Sequence, residues 1–238
     1  SSDTLALDLE NKPFRDSKGR LVLRPAGHGA LLQNLSQFSG GYDIVFIKNI
    51  DNVQTLSAKT SSIQNMRMLA GLLFGIQEKI FSFQKELDLT RPDKNHVQQI
   101  VKFIRETLSL TPPPAIHSES IENQINHLRN TLNRPLRVCG LVRNKGEIGG
   151  LPFWVENHDK SRSLQIVETS QIDLNSDKVM SLVRSSTHFN PVFMVLGLKN
   201  YKGETYDLSH FSEPEGGIIS IKSHEGRNLK ALELPGLW

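Results

Sequence analysis

The sequence predicts an α/β domain with a mixed, mainly parallel sheet that is flanked by helices and interrupted by a three-helix insertion. The apolar run IVFI at residues 44–47 is typical of a central strand that is covered on both faces. Strand, helix and strand patterns also follow one another with short connections in residues 4–50, as they do in α/β domains.

The first stretch, residues 1–59, contains the elements that lead to this strand. Residues 4–9 alternate between apolar and polar side chains, which predicts a strand. A turn at residues 16–19 lies between two extended arms and predicts a hairpin. A glycine-containing turn then precedes a predicted helix at residues 30–37 and the apolar strand at residues 42–50.

Residues 60–134 predict three amphipathic helices, because apolar side chains recur there at spacings of three and four. We interpret these helices as an insertion or subdomain. Asp93 marks the start of the second helix, and the prolines at residues 112–114 end it. We expect the apolar stripes to form core rather than a partner surface. The predicted inward residues are Ile63, Met66, Leu69, Leu73, Ile76, Ile80, Phe83, Val97, Ile100, Val101, Ile104, Ile121, Ile125, Leu128 and Leu132.

Residues 135–238 return to strand patterns and are expected to complete the sheet. A short helix is predicted at residues 175–186, and two strands at the end of the chain are joined by a turn at residues 224–226. Both ends of the chain look cut, because strand-like runs and a large aromatic residue occur where polar tails are usual. We therefore expect the sequence to be an internal piece of a longer protein.

Composition excludes several classes of protein. Apolar residues make up 37% and charged residues 22% of the chain, and the net charge of +3 is scattered rather than clustered. Nucleic acid and membranes are therefore not expected partners. The single cysteine, Cys139, rules out an internal disulfide framework, and we interpret it as a buried structural thiol. A reducing cytoplasm is the expected compartment.

The stretch RPAGHG, residues 24–29, is the first candidate binding site. Gly27 and Gly29 flank His28, and glycines before a helix let backbone N–H groups approach a ligand without interference from a Cβ atom. The alternative interpretation is a tight connection from strand to helix. The stretch lacks the usual glycine-rich phosphate-binding patterns, so the sequence leaves both interpretations open.

The stretch IKNIDN, residues 47–52, is the second candidate. Asp51 follows a predicted strand, and ligands of open α/β sheets collect at the carboxyl ends of strands. A carboxylate there suits a divalent cation, and Asn52 would support it. The alternative is that Asp51 caps the next segment and Asn52 lies in a turn.

Together, the two stretches resemble segments of UDP-sugar pyrophosphorylases. RPAGHGALLQNL resembles the base-contacting turn of those enzymes, and IKNIDN resembles their strand that ends in a metal-holding Asp-Asn pair. LQIVETSQID and THFNP resemble their sugar-contacting segments. Over nearly the whole chain the sequence also resembles a bacterial family, domain of unknown function 4301, which is itself similar to those transferases.

The resemblance implies roles for individual residues and a nucleotide-diphospho-sugar transferase fold. Arg24, Gly27, His28 and Gly29 would bind a nucleotide, and Glu168 and Asn190 would contact a sugar. Asp51 would hold Mg²⁺ and, with Lys222, would take part in catalysis. The implied reaction transfers a nucleotide to a sugar 1-phosphate and releases pyrophosphate, and it relies on positioning and charge neutralisation. The expected partners are a nucleotide or a nucleotide sugar.

Three departures from the pyrophosphorylase pattern keep a second function open. The glycine-rich triphosphate loop is missing from this sequence, Thr169 replaces a Tyr, and Gln171 replaces a Glu. We therefore expect this chain alone to have little or no activity, with transfer belonging to the full-length protein. One alternative is a non-catalytic module that binds nucleotide sugars. The other is a structural scaffold that binds no ligand.

Overall fold

The computed structural model of the chain describes residues 3–25, 27–38, 40–49, 56–90, 92–146, 149–173 and 175–237. The chain divides into two compact units. The first comprises Ser1–Gly41, Glu168–Met180 and Asp207–Trp238, and the second comprises Tyr42–Val167 and Ser181–Tyr206. The domain boundaries that the sequence predicts after residues 59 and 134 stay a prediction.

Within the described residues there are five α-helices and twelve strands. The helices are α1 (His28–Phe38), α2 (Leu56–Leu89), α3 (Lys94–Glu106), α4 (Ile121–Leu132) and α5 (Asp177–Ser185). The strands are β1 (Asp3–Leu5), β2 (Leu23–Pro25), β3 (Ile44–Lys48), β4 (Leu110–Thr111), β5 (Leu136–Cys139), β6 (Val142–Arg143), β7 (Leu151–Glu156), β8 (Arg162–Val167), β9 (His188–Phe189), β10 (Phe193–Gly197), β11 (Ile218–His224) and β12 (Arg227–Glu233).

The first unit is built on four antiparallel strands in the order β2, β1, β12, β11. β1 pairs with β2, and β11 pairs with β12. Leu7 and Lys230 exchange two backbone hydrogen bonds of 3.0 and 2.7 Å, which join the continuation of β1 to β12. One face is covered and holds a small apolar core. This core consists of Ala6, Phe14, Val22, Leu229 and Ala231.

The turns of the first unit follow the sequence prediction. At residues 16–19 the Gly19 N–H donates to the Asp16 carbonyl oxygen at 3.0 Å, and Gly19 has a φ of 77°. Glu225 and Gly226 join β11 to β12 with φ values of 49° and 75°. Two consecutive positive φ values match the right-handed twist of a two-residue hairpin. Both predicted hairpins are confirmed.

The second unit contains a three-stranded sheet in the order β3, β10, β5, and its direction corrects the predicted fold. β10 runs antiparallel to both neighbours, with Val195 opposite Phe46 of β3 and Val138 of β5. Every ladder between the described strands is antiparallel. The predicted mainly parallel, transferase-like sheet is therefore wrong. β3 and β5 do point the same way, but β10 lies between them, and β3 is an edge of the described sheet.

Helices α2, α3 and α4 confirm the predicted helical stretch and supply most of the core of the second unit. The side chains of Asp93 and Ser120 accept hydrogen bonds from backbone N–H groups in the first turns of α3 and α4. Ile63 departs from the prediction, because it is 40% exposed. The buried cluster consists of Ile80, Phe83, Leu87, Val97, Ile100, Ile104, Ile125, Leu128 and Leu132.

Two smaller antiparallel groups complete the second unit. β8 lies between β4 and β7, and β6 pairs with β9. Helix α5 confirms the short helix predicted at residues 175–186. Among the described helices, none combines the length and the apolar character that a membrane span requires.

Candidate functional site

The structure distributes the predicted site residues between the two units. Asn190 lies in the second unit, whereas Asp51 and Asn52 lie outside the described residues. The remaining predicted residues all belong to the first unit, and they are Arg24, Gly27, His28, Gly29, Glu168 and Lys222. The first unit is therefore the place where the predicted residues can be compared.

The glycine turn opens helix α1, and the N–H groups of Gly29, Ala30 and Leu31 are already bonded. The Gly27 carbonyl oxygen accepts from the N–H groups of Ala30 and Leu31 at 3.1 and 3.3 Å. The Gly29 N–H donates to the Leu234 carbonyl oxygen at 2.9 Å. These donors are not free for a ligand. His28 differs, because its side chain is exposed at the first residue of the helix.

Both glycines of this turn are required by contacts with the chain that leaves β12. Gly27 has a φ of 58°, and a Cβ atom on it would lie 2.7 Å from Glu233 Oε2. A Cβ atom on Gly29 would lie 2.5 Å from Leu234 Cβ. Such distances are shorter than van der Waals contact allows, so the close approach needs glycine. The tight strand-to-helix connection accounts for these glycines, and the nucleotide role of the turn stays a prediction.

Three charged side chains lie on the covered face of the first-unit sheet, and one of them, Glu233, lies against Gly27 of this turn. Lys222 Nζ lies 3.3 Å from Glu233 Oε1, and the same oxygen accepts from the Ser220 hydroxyl at 3.0 Å. Strand alternation places Arg24 on the face of its buried neighbour Val22, and that face also carries Glu233. Two cations and one carboxylate therefore share this face of the sheet. We call Arg24, Ser220, Lys222 and Glu233 the inner-face cluster.

Lys222 and Arg24 differ in how their charges are paired. Lys222 is 44% exposed in its pair with Glu233, and exposed ion pairs are weak, so the lysine can exchange partners at small cost. The Arg24 side chain is half-buried and makes no ion pair with the residues that the structure describes. The cluster therefore contains one loosely held cation and one cation that no described carboxylate neutralises, and both charges suit an anionic group.

Glu233 and Ser220 are the members of the cluster that were absent from the predicted site. The available signal was the two-residue period of the last strand, in which Leu229, Ala231 and Glu233 share one face. A carboxylate that follows two buried apolar residues on one face is unusual and needs a partner. Lys222 and Ser220 are those partners, but strand pairing was needed to show it.

Glu168 begins a short helical turn that Gln171 holds in place. The Glu168 N–H donates to Gln171 Oε1 at 2.9 Å, and Gln171 Nε2 donates to the Gly216 carbonyl oxygen at 3.1 Å. A glutamate at residue 171 could not make the second bond, because a carboxylate has no donor. The glutamine at residue 171, which departs from the Glu of the pyrophosphorylase pattern, therefore has a structural reason. Glu168 itself is half-buried, and its contact with a sugar stays a prediction.

Asn190 is committed to the backbone of the second unit. It is 3% exposed, its Nδ2 donates to the Gly140 carbonyl oxygen at 2.7 Å, and its Oδ1 accepts from the Val192 N–H at 3.0 Å. Its own N–H donates to the Gly150 carbonyl oxygen at 2.8 Å. These bonds give Asn190 a clear structural role. Its contact with a sugar stays a prediction.

A metal site cannot be built from the part of the chain that the structure describes. No group of three or more His, Cys, Asp or Glu side chains in that part could hold a metal ion. The residue predicted to hold Mg²⁺, Asp51, lies outside it.

Comparison with known proteins places the chain in one family. No curated protein and no solved structure matches it. One family model matches residues 1–238, the whole of the sequence, and this confirms the resemblance to domain of unknown function 4301. The chain therefore belongs to the family described as Domain of unknown function (DUF4301).

Proposed function

We propose that the first unit binds the phosphate groups of a nucleotide or nucleotide sugar at the inner-face cluster. The observation that supports this proposal is the position of Arg24 and Lys222 on one sheet face beside the glycine turn. A phosphate group carries up to two negative charges and several acceptor oxygens, which suits an arginine and a lysine. The resemblance to UDP-sugar pyrophosphorylases narrows the proposed ligand to a nucleotide sugar.

In this proposal the Glu233 carboxylate stays paired with Lys222 until a ligand binds. The carboxylate lies 3.3 Å from the lysine and also accepts from Ser220. An incoming phosphate competes with the carboxylate for Lys222, and Ser220 retains Glu233 after the lysine has moved. Because the pair is partly exposed, its exchange costs on the order of 1 kcal/mol or less. Arg24 supplies the second cation, and the exposed His28 ring is available to a base.

The binding experiment uses calorimetric titration of the whole chain with a UDP-sugar, with and without Mg²⁺. Lys222→Ala and Arg24→Ala should each weaken binding about tenfold, because each removes one charge-assisted contact. Glu233→Gln should strengthen binding, because the amide keeps an acceptor for Ser220 but no longer competes for Lys222. Lys18→Ala, in the exposed turn at residues 16–19, is the matched control and should leave affinity unchanged.

Three results would contradict the proposal. The first is a wild-type chain that binds no nucleotide or nucleotide sugar. The second is equal weakening by Lys18→Ala and Lys222→Ala, which would indicate only a general charge effect. The third is that Glu233→Gln binds the UDP-sugar more weakly than the wild type does, although it unfolds at the same temperature. The first result would favour the structural interpretation of the glycine turn.

Transfer of the nucleotide to a sugar 1-phosphate is the further step that the resemblance implies. It would require Mg²⁺ at Asp51 to neutralise charge on the phosphates, in addition to the inner-face cluster. Pyrophosphate release from a sugar 1-phosphate and a nucleoside triphosphate measures this step directly. Release that Asp51→Ala abolishes would support transfer, whereas ligand binding without release would support a non-catalytic binding module.

A further inference from the structure

Helix α2 of the second unit has apolar side chains on two faces. Leu73, Ile80 and Phe83 face the core and are at most 6% exposed. On other faces of the same helix, Phe74 is 45% exposed and Met68 is 66% exposed. Ile63 and Leu72 are also exposed. Phe74 lies on the side of the helix opposite the core residues, where its exposed ring is available to another molecule.

One stripe of this outer side contains Arg67, Gly71, Phe74 and Glu78. Their spacings of four, three and four residues place them in one line along the helix. All four are exposed. A Cβ atom on Gly71 would meet no atom within 4 Å, so the space that a side chain at residue 71 would fill is open beside Phe74, and we call this space the hollow. Neither Arg67 nor Glu78 forms an ion pair with a described residue. We call these four residues the α2 stripe.

The α2 stripe is complementary to itself when two copies run antiparallel. Consider a two-fold axis that passes between residues 72 and 73. This axis brings each residue opposite the residue of the second copy that lies equally far from the axis on its other side. Arg67 then lies opposite Glu78 of the second copy, and Gly71 lies opposite Phe74 of the second copy. Each contact occurs twice, as the symmetry of such an interface requires. A cation meets a carboxylate, and a ring enters a hollow.

We propose that two copies of this chain associate through antiparallel packing of their α2 stripes. The burial of each Phe74 ring against Gly71 of the other copy drives association. The two Arg67–Glu78 pairs fix the register and direction, since paired opposite charges select one arrangement and like charges reject others. One helix face per copy is a small interface, so the dimer is weak and its population rises with protein concentration.

Charge reversal at the two ends of the α2 stripe provides the test. Sedimentation velocity and light scattering of the whole chain over a concentration series should show a dimer. Glu78→Arg and Arg67→Glu should each raise the dissociation constant about tenfold or more, because each turns two attractive pairs into two repulsive ones. The double variant R67E/E78R should restore the wild-type constant, since it only exchanges the two signs.

Two further variants separate shape from charge. Gly71→Leu should abolish the dimer, because its side chain fills the hollow that receives Phe74, while leucine favours the helix. Lys102→Glu, an exposed charge reversal on α3, is the matched control and should dimerise like the wild type. Circular dichroism of each variant confirms that the helices remain formed.

Three outcomes would overturn the proposal. The first is a wild-type chain that stays monomeric over the whole concentration series. The second is a dimer that both single charge reversals leave intact, because another surface would then be responsible. The third is a double variant that remains as weak as the single variants despite normal helicity, because the two residues would then not be paired.

Discussion

The side chain of Glu233 packs directly against Gly27, so that a Cβ atom at residue 27 would lie 2.7 Å from Oε2 and 2.9 Å from the Glu233 Cβ atom. The turn before α1 and the last residue of β12 are therefore fitted to each other. Gly27 also has a φ of 58°, which side-chain-bearing residues rarely adopt.

We predict that Gly27→Ala destabilises the protein more than Gly19→Ala does. Gly19 has a φ of 77° but open space around it, so alanine there costs only the backbone term of about 1 kcal/mol. At residue 27 the contact with Glu233 adds to that term, and a total loss of about 2–3 kcal/mol is expected. Urea denaturation of both variants measures the difference. Equal losses would mean that the contact with Glu233 relaxes freely.

Asn190→Asp should be strongly destabilising at neutral pH. The Asn190 Nδ2 group donates to the Gly140 carbonyl oxygen at 2.7 Å, and a carboxylate would place a buried negative charge against that acceptor. A loss of about 3 kcal/mol or more is expected from the broken bond and the buried charge.

Asn144→Asp is the control for this substitution. The Asn144 Oδ1 atom accepts from the Gly146 N–H at 2.8 Å, and a carboxylate oxygen can accept the same bond. Its midpoint in urea should stay close to that of the wild type. If the two aspartate variants were equally stable, the amide of Asn190 would not be needed to hold Gly140.

Cys139 should react slowly with thiol reagents in the folded protein. It lies on β5 opposite Met194, and burial raises the pKa of its thiol. A raised pKa leaves less thiolate at pH 8, and the thiolate is the reacting form. Reaction with a disulfide reagent, followed by absorbance, should be at least about tenfold faster in denaturant than in its absence. Equal rates would show that the thiol is accessible and ordinary.

Stability should fall as the solution is acidified through the titration of Asp16. Backbone hydrogen bonding from Arg20 lowers the pKa of Asp16 in the folded state. The unfolded chain then binds a proton more readily, so this stabilisation is complete above the unfolded pKa of about 3.9 and is lost as pH falls through the lower folded value.

Asp16→Asn should therefore show a smaller loss of unfolding free energy than the wild type between about pH 5 and pH 2. Glu10→Gln is the control, because the Glu10 carboxylate accepts no hydrogen bond from the residues that the structure describes. Urea midpoints across this range provide the measurement. Identical pH profiles for Asp16→Asn and the wild type would contradict the assigned role of the carboxylate.

Local sequence patterns were enough to predict the helices, the two hairpin turns and most of the buried stripe on α2, α3 and α4. These features depend on local periodicity and turn chemistry, so residues close in sequence are sufficient to specify them. Val97, Ile100 and Ile104 are buried as their spacing predicts.

The pairing of strands and of charged side chains depends on tertiary packing and could not be predicted from local patterns. The apolar run in β3 indicates burial, but it carries no information on the direction of the strand beside it, and β10 proved to run antiparallel. Thr4 donates to the Leu232 carbonyl oxygen across 228 positions of sequence, and Lys222 of β11 pairs with Glu233 of β12 in the same unit. Contacts of that separation follow from the packing of the whole unit, which no local pattern encodes.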